Sequence, residues 1–437
     1  MRKLSLGVSG IHGEIGAGLS PAHAINYASA LGTYLEGATI MVGIDTRGSS
    51  QMLKHAICSG LMSCGSNIID AGLCPSALLS YFCKHSDCQA AINISGIHHP
   101  MNFNAIQVID KDGSPYSPVQ GQSVMDIYHG QKFRNISWQE TGKMSLVDDS
   151  LKVAYLDSIC AHLDMDAIRA AKFSIVVDFC NGAGSVLADS FAERFGLNMI
   201  AINNTADEFL PHDPEPRPRS SMQVKALMDP LSASIGFNFN SDMSRCAVVS
   251  CCGETLSEEF TFPLVADRVL ERHGSDSIVV TNNCTTRTLD QIVERHGAKL
   301  VKTKTGPSHV IDKQEELKAV LCGEGSGSVA YAPHLSAFDG YFTMGIILES
   351  MAVRKKSSSE LVQMLDRQYK ICKRKMPCAA SEAYSIIRKM RDQLDGEIDE
   401  TDGIRFDWDE GWIHIRPSST EPVVRIFVEW QGDGAAT

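Results

Sequence analysis

The stretch Ser174-Ile175-Val176-Val177-Asp178-Phe179, followed by Asn181-Gly182-Ala183-Gly184-Ser185 and a helical segment, decides the fold class. A short apolar run that breaks at a glycine turn and passes into an amphipathic stretch is one strand–loop–helix step of an α/β layer. The step recurs along the chain. Thr39-Ile40-Met41-Val42-Gly43-Ile44 reads as a buried strand with a helix from Ser49 to Cys64 behind it. Asn67 to Asp70 and Ala90 to Ile94 are again strand-like, and Ser277 to Thr281 precedes a helix from Thr286 to His296. Strands alternating with helices imply mostly parallel sheets covered by helices. Three such blocks fit residues 1–140, 141–250 and 251–365, with polar stretches such as Lys355-Lys356-Ser357-Ser358-Ser359 marking the borders. Over 366–437 the pattern changes to a helix (Ser381 to Leu394) and three strand-like runs, Gly403 to Trp408, Trp412 to Arg416 and Val423 to Val428. That is a small α+β domain with antiparallel strands.

A chain of 437 residues, 43% hydrophobic and 21% charged, has room for two to four domains at about 100–200 residues each. Lys+Arg 40 against Asp+Glu 52 leaves a net charge of −12, and no Lys/Arg-rich block relieves it. A nucleic-acid partner is therefore not expected. No apolar run reaches the ~18 residues a membrane span needs, and Met1 to Gly7 lacks the apolar core of a signal peptide. The 14 cysteines are scattered without CxxC pairs, and several sit in apolar strands (Cys180, Cys246, Cys322). They read as buried thiols of a cytoplasmic protein, with no zinc site.

Two loops are suited to a phosphorylated ligand. Gly323-Glu324-Gly325-Ser326-Gly327 offers backbone access together with groups that can bond neighbouring hydroxyls of a polyol; the same residues also make an ordinary glycine turn. In Arg416-Pro417-Ser418-Ser419-Thr420-Glu421-Pro422, with Arg425 beyond, two arginines flank three hydroxyls, a fork-and-nest arrangement that suits phosphate. A capped turn with solvated arginines is the structural alternative. Asp45-Thr46-Arg47-Gly48-Ser49-Ser50 is a second basic turn, equally readable as a helix cap by Ser49 or Ser50.

Together these loops resemble those of the α-D-phosphohexomutase superfamily, the phosphoglucomutase/phosphomannomutase-like proteins, collinearly over almost the whole chain. Gly7-Val8-Ser9-Gly10-Ile11-His12-Gly13 is similar to the family's GTSGIRG, Val42 to Arg47 to VGRDTR, and Ile94-Ser95-Gly96-Ile97-His98-His99-Pro100 to the catalytic ITASHNP loop. Phe239-Asn240-Ser241-Asp242-Met243-Ser244-Arg245 stands where the metal loop FDGDADR is expected, and Phe209 to Pro216 resembles the FPxHxPxP linker. Gly323 to Gly327 is similar to the sugar-binding GEMSG, and Arg416 to Arg425 to the phosphate-binding RPSGTEPVVR. The resemblance implies four domains around one central cleft and a phosphoserine that exchanges its phosphoryl group with a sugar phosphate, assisted by a divalent cation. It implies sugar contacts from Glu324 and Ser326, phosphate contacts from Arg416, Ser418, Ser419, Thr420 and Arg425, and cleft positions for Ser9, Arg47, Ser95, Ile97 and Arg245.

The departures fall on one side of that chemistry. Ile97 takes the phosphoserine position and carries no nucleophilic atom. The metal ligands become Asn240, Asp242 and Ser244, a poor cage for Mg²⁺, so no metal is expected unless this degenerate loop still binds one. His12 replaces an arginine, Gln107 a lysine, and Pro307 a basic residue. The expected ligand is a hexose or amino-hexose phosphate, and three readings of the chemistry stay open. One is a repurposed enzyme doing metal-free epimerisation, isomerisation or elimination, with His98, His99 and His12 as acid/base candidates. Another is a non-catalytic sensor or regulatory partner. The third is a divergent mutase whose nucleophile has moved to Ser95 or His98. In an extended segment Ser95 would face the same side as Ile97, displaced by about 6–7 Å.

Overall fold

The computed structural model describes residues 4–378, 380–418 and 423–432. Four sheets follow one another along the chain. In the first, the parallel strands Ala90–Ile94, Ile40–Ile44, Ile68–Leu73 and Met144–Leu146 continue on the other side into antiparallel Phe103–Asp110, Gly10–Glu14 and Leu4–Gly7. The second sheet runs Asn198–Ile202, Ser174–Asp178, Ile235–Phe239, all parallel, and ends on antiparallel Cys246–Ser250. The third repeats that plan with Lys299–Thr303, Ile278–Asn282, Leu321–Glu324 and antiparallel Ser328–Tyr331. The fourth is fully antiparallel: Tyr369–Pro377, Val423–Gln431, Gly411–Pro417, Ile404–Trp408 and Glu397–Asp399. Three α/β domains and a terminal α+β domain are therefore present.

The first three sheets are more mixed than strand–helix alternation implies. Their antiparallel members arise from hairpins that need no helix, so the helical periodicity is silent there. The pattern also left out Tyr369–Pro377, a strand whose KICKRKM core is half-exposed and charged.

Helix formation follows ordinary rules. Pro118–Gly130 begins with Ser117 and Gln120 in a reciprocal capping box and Pro at its first turn. One continuous core joins the second and third domains through Phe179, Phe191, Phe237, Phe262 and Tyr341, and reaches into the first through Leu78 and Phe82. The first domain has a further core on the other face of its sheet, around Ile11, Val42, Ile57 and Ile92. Loops at the carboxyl ends of the parallel strands converge between the domains, as α/β folds place their ligand crevices. No helix among the described residues is long and apolar enough to cross a membrane.

Candidate functional site

A cleft of about 750 Å³ opens where the four domains meet, ample for a sugar phosphate. The first domain lines it with Ser9, His12, Ile97, His98, His99 and Gln107. Asp242, Ser244 and Arg245 come from the second domain, Glu324 and Ser326 from the third, and Lys375, Arg416, Ser418 and Arg425 from the fourth. Ser419 and Thr420 lie outside the described residues. Two of the expected cleft residues sit beneath it instead. Arg47 and Ser95 are 2% and 0% exposed, because both are tied to the buried Asp45 carboxylate.

That carboxylate organises the first loop. Asp45 accepts from the Arg47 guanidinium and its backbone N–H, from the Ser50 and Ser95 hydroxyls and from the Gly96 amide. Arg47 in turn donates to the His99 carbonyl at 2.6 Å and to Ser241 Oγ at 3.1 Å, joining the first two domains. Ser241 Oγ donates to the Ile97 carbonyl at 2.8 Å. The turn is strained: Ile97 has φ 56°, a left-handed conformation that costs a β-branched residue about 1–3 kcal/mol. The strand ends at Ile94, so Ser95 and Ile97 do not alternate as an extended segment would. Ser95 Oγ points down to Asp45 at 3.0 Å, away from any role as a cleft nucleophile.

His98 is the better-placed group. Its ring stacks on His99 with centroids 4.5 Å apart, and its buried Nδ1 has no hydrogen-bond partner. Burial, reinforced by Arg245, His99, Arg425 and Lys375, holds its pKa well below the ordinary imidazole value. The ring is neutral at physiological pH while cations from two other domains surround it. His12, on the strand Gly10–Glu14, is likewise lowered by burial and keeps an unpartnered Nε2.

The loop expected to hold Mg²⁺ is closed on itself. Asp242 Oδ1 accepts from Asn240 Nδ2 at 2.7 Å, Ser244 Oγ at 2.6 Å and the Ser244 amide at 3.2 Å, and Asn240 Oδ1 accepts from the Arg245 amide at 2.9 Å. Burial raises the pKa of Asp242. One carboxylate, its inward oxygen bonded three times, does not fit a hard divalent cation that prefers several anionic oxygens.

The third domain supplies a hairpin rather than a free glycine loop: Glu324 closes one strand and Ser328 opens the next. Glu324 Oε1 is oriented by Asn282 Nδ2 at 2.8 Å and the Gly306 amide at 3.0 Å. A Cβ at Gly325 would come 2.1 Å from Glu259 Oε2, so a side chain there would displace that carboxylate. Glu259 was not legible in the sequence, nor was its partner Lys373. The Lys373 ammonium lies 2.7 Å from both Glu258 and Glu259 and donates to the Gly325 carbonyl at 3.1 Å, so the fourth domain clasps the turn after Glu324. The alternation of Lys373 and Lys375 along KICKRK was the available signal. Two buried carboxyls share one ammonium: Glu258 is lowered by Lys373, whereas burial pushes Glu259 up to about 8.

A pH dependence follows with a definite sign. Between about 4.5 and 8 the folded Glu259 retains a proton that the unfolded chain has lost. Its contribution is complete below 4.5 and is lost as pH rises to 8, by at most ~1.4 kcal/mol per pH unit. Urea melts from pH 5 to 8 are expected to show that decline, and Glu259→Gln to flatten it.

Arg416 Nε lies 2.9 Å from Asp402 Oδ2, close enough for an ion pair but misaligned for a hydrogen bond. Asp402 is pinned by the Thr305 amide, so the guanidinium is held at the cleft wall. Removing it in Arg416→Ala is expected to weaken sugar-phosphate affinity by about 1.5–3 kcal/mol, measured by calorimetric titration with glucose 6-phosphate.

The comparisons with known proteins agree with this architecture. Family models of phosphoglucomutase/phosphomannomutase match residues 3–135 (alpha/beta/alpha domain I), 153–253 (domain II), 258–369 (domain III) and 372–437 (C-terminal domain). A phosphoglucomutase/phosphomannomutase of Thermococcus kodakarensis is 30% identical over 98% of this chain and 95% of its own. A protein of Pyrococcus abyssi named as a probable phosphoglucosamine mutase is 32% identical over 97% and 93%. Among solved structures, a family protein of Burkholderia thailandensis superposes with TM-score 0.84 at 24% identity, covering 98% of this chain and 93% of that one. With all four domain models matched in order around the cleft just described, the chain belongs to the α-D-phosphohexomutase superfamily.

Proposed function

We propose that this protein binds a hexose or amino-hexose phosphate in the cleft and transfers its phosphoryl group through His98 rather than through residue 97. The observation that carries the reading is the neutral His98 ring at the cleft, with Arg245 and Lys375 as the cations at the reacting end. A neutral imidazole is a nucleophile without prior deprotonation, and fixed cations stabilise a transferring phosphoryl group as a metal otherwise would. With a sugar bisphosphate as donor, an imidazole nitrogen attacks phosphorus, the P–O bond to the sugar breaks, and the proton lost from the ring is balanced by protonation of the leaving sugar oxygen, which departs as a hydroxyl. The reverse step at the other end of the sugar returns the phosphoryl group. Glu324 and Ser326 hold hydroxyls, while Arg416, Ser418 and Arg425 hold the phosphate that is not reacting. Close similarity to proteins bearing mutase names supports this reading over repurposed chemistry.

The test is a phosphoprotein trap. Wild-type protein mixed with glucose 1,6-bisphosphate is expected to carry acid-labile, alkali-stable phosphate on the peptide containing His98. Acid-stable phosphate on a serine would overturn the assignment. A second reading, metal-free proton transfer on the sugar, is favoured by Glu259, which keeps a proton near neutrality beside the sugar-binding turn. It predicts no bound phosphate and deuterium incorporation into the sugar in D₂O.

A further inference from the structure

Away from the cleft, the chain ends the edge strand Cys246–Ser250 with two adjacent cysteines, Cys251 and Cys252. Both sulfurs address one hydroxyl: Ser359 Oγ lies 3.1 Å from Cys251 Sγ and 2.7 Å from Cys252 Sγ. The Cys251 amide donates to Ser358 Oγ at 2.8 Å, and Ser358 Oγ donates on to the Ser234 carbonyl at 2.6 Å. Cys252 is exposed and Cys251 half-buried, whereas Cys74, Cys180, Cys246, Cys284 and Cys322 are buried with thiols raised by burial.

We propose that Cys251 and Cys252 form a thiol–disulfide exchange site for low-molecular-weight disulfides, Cys251 attacking and Cys252 resolving. The Cys251 sulfur attacks one sulfur of the disulfide, forming a mixed disulfide and expelling one thiol. Cys252 then attacks the Cys251 sulfur, closing the internal disulfide and releasing the second thiol. Two protein thiols are oxidised and one disulfide is reduced to two thiols, so the electrons balance. The attack is assisted because, although burial works against it, the Ser359 and Ser358 hydroxyls, the Ser359 amide and the Cys252 thiol bring Cys251 down to about 7. The turn after the site carries Glu254, ion-paired at 2.5 Å with Arg367, just before the strand that bears Lys373.

The test uses the full chain with oxidised glutathione and peptide mapping by mass spectrometry. Wild type is expected to end with an internal 251–252 disulfide, Cys252→Ser to stall as a glutathione adduct on Cys251, and Cys251→Ser to leave the pair unmodified. The rate of alkylation of wild-type Cys251 by iodoacetamide is expected to be half-maximal near pH 7, against about 8.5 for an ordinary thiol, and Ser359→Ala to move that midpoint upward. Adducts confined to other cysteines, or a wild-type midpoint in the ordinary range, overturn the proposal without relying on any variant.

Discussion

Asp45→Ala is expected to lower the free energy of unfolding by about 3–5 kcal/mol, the cost of leaving a buried charge without its partner. Asp45 and Arg47 have side-chain exposures of 0% and 1%, so water cannot replace the lost carboxylate. The same change strips the acceptor from Ser95 Oγ and the Gly96 amide, which hold the turn that presents His98. Stability and site geometry therefore fail together. Chemical denaturation of Asp45→Ala, Arg47→Met and the double variant tests this: removing both charges is expected to cost less than the two single losses combined. Strict additivity would mean that the pair does not act as a unit.

His98→Asn is expected to leave the melting transition nearly unchanged and to reduce phosphoryl transfer by roughly 10³-fold or more, because it deletes the nucleophile. The preserved stability follows from the ring's surroundings: its Nδ1 has no hydrogen bond to lose, and its neighbours are cations that disfavour a charged imidazole. Sugar-phosphate affinity is expected to stay within a few-fold, since Glu324, Arg416 and Arg425 are untouched. Equal losses of binding and turnover would instead assign His98 to ligand holding.

How far the sequence could be read depended on the range of the interactions. The parallel strands and their loops announced themselves, because apolar runs such as Ala90 to Ile94 and glycine turns such as Gly323 to Gly327 are local signals. That His98, Glu324, Arg416 and Arg425 line one cleft was implied by the resemblance of their loops to the family motifs. Ser95 misled, since its orientation depends on where the strand stops and on the left-handed turn at Ile97, neither visible in residue spacing. Glu259 and Lys373 were silent for another reason: one sits in a short 3-10 turn, the other in a charged strand, and only tertiary packing brings them to Gly325. The closed hydrogen-bond ring of Asn240, Asp242 and Ser244 was foreshadowed by the lost carboxylates, but its geometry was not.

The proposed phosphoryl transfer would persist in a member of this superfamily whose phosphoserine position holds isoleucine and whose metal loop is satisfied by its own amides and hydroxyls. Phosphorus NMR of the purified protein with hexose and amino-hexose 1- and 6-phosphates, primed with trace hexose 1,6-bisphosphate and run with EDTA, tests it most directly. Phosphate is expected to migrate between the two ends of at least one sugar, insensitive to the chelator, and to stay in place in His98→Asn. Phosphate that stays in place across the panel, or migration that requires Mg²⁺ and survives His98→Asn, would contradict it.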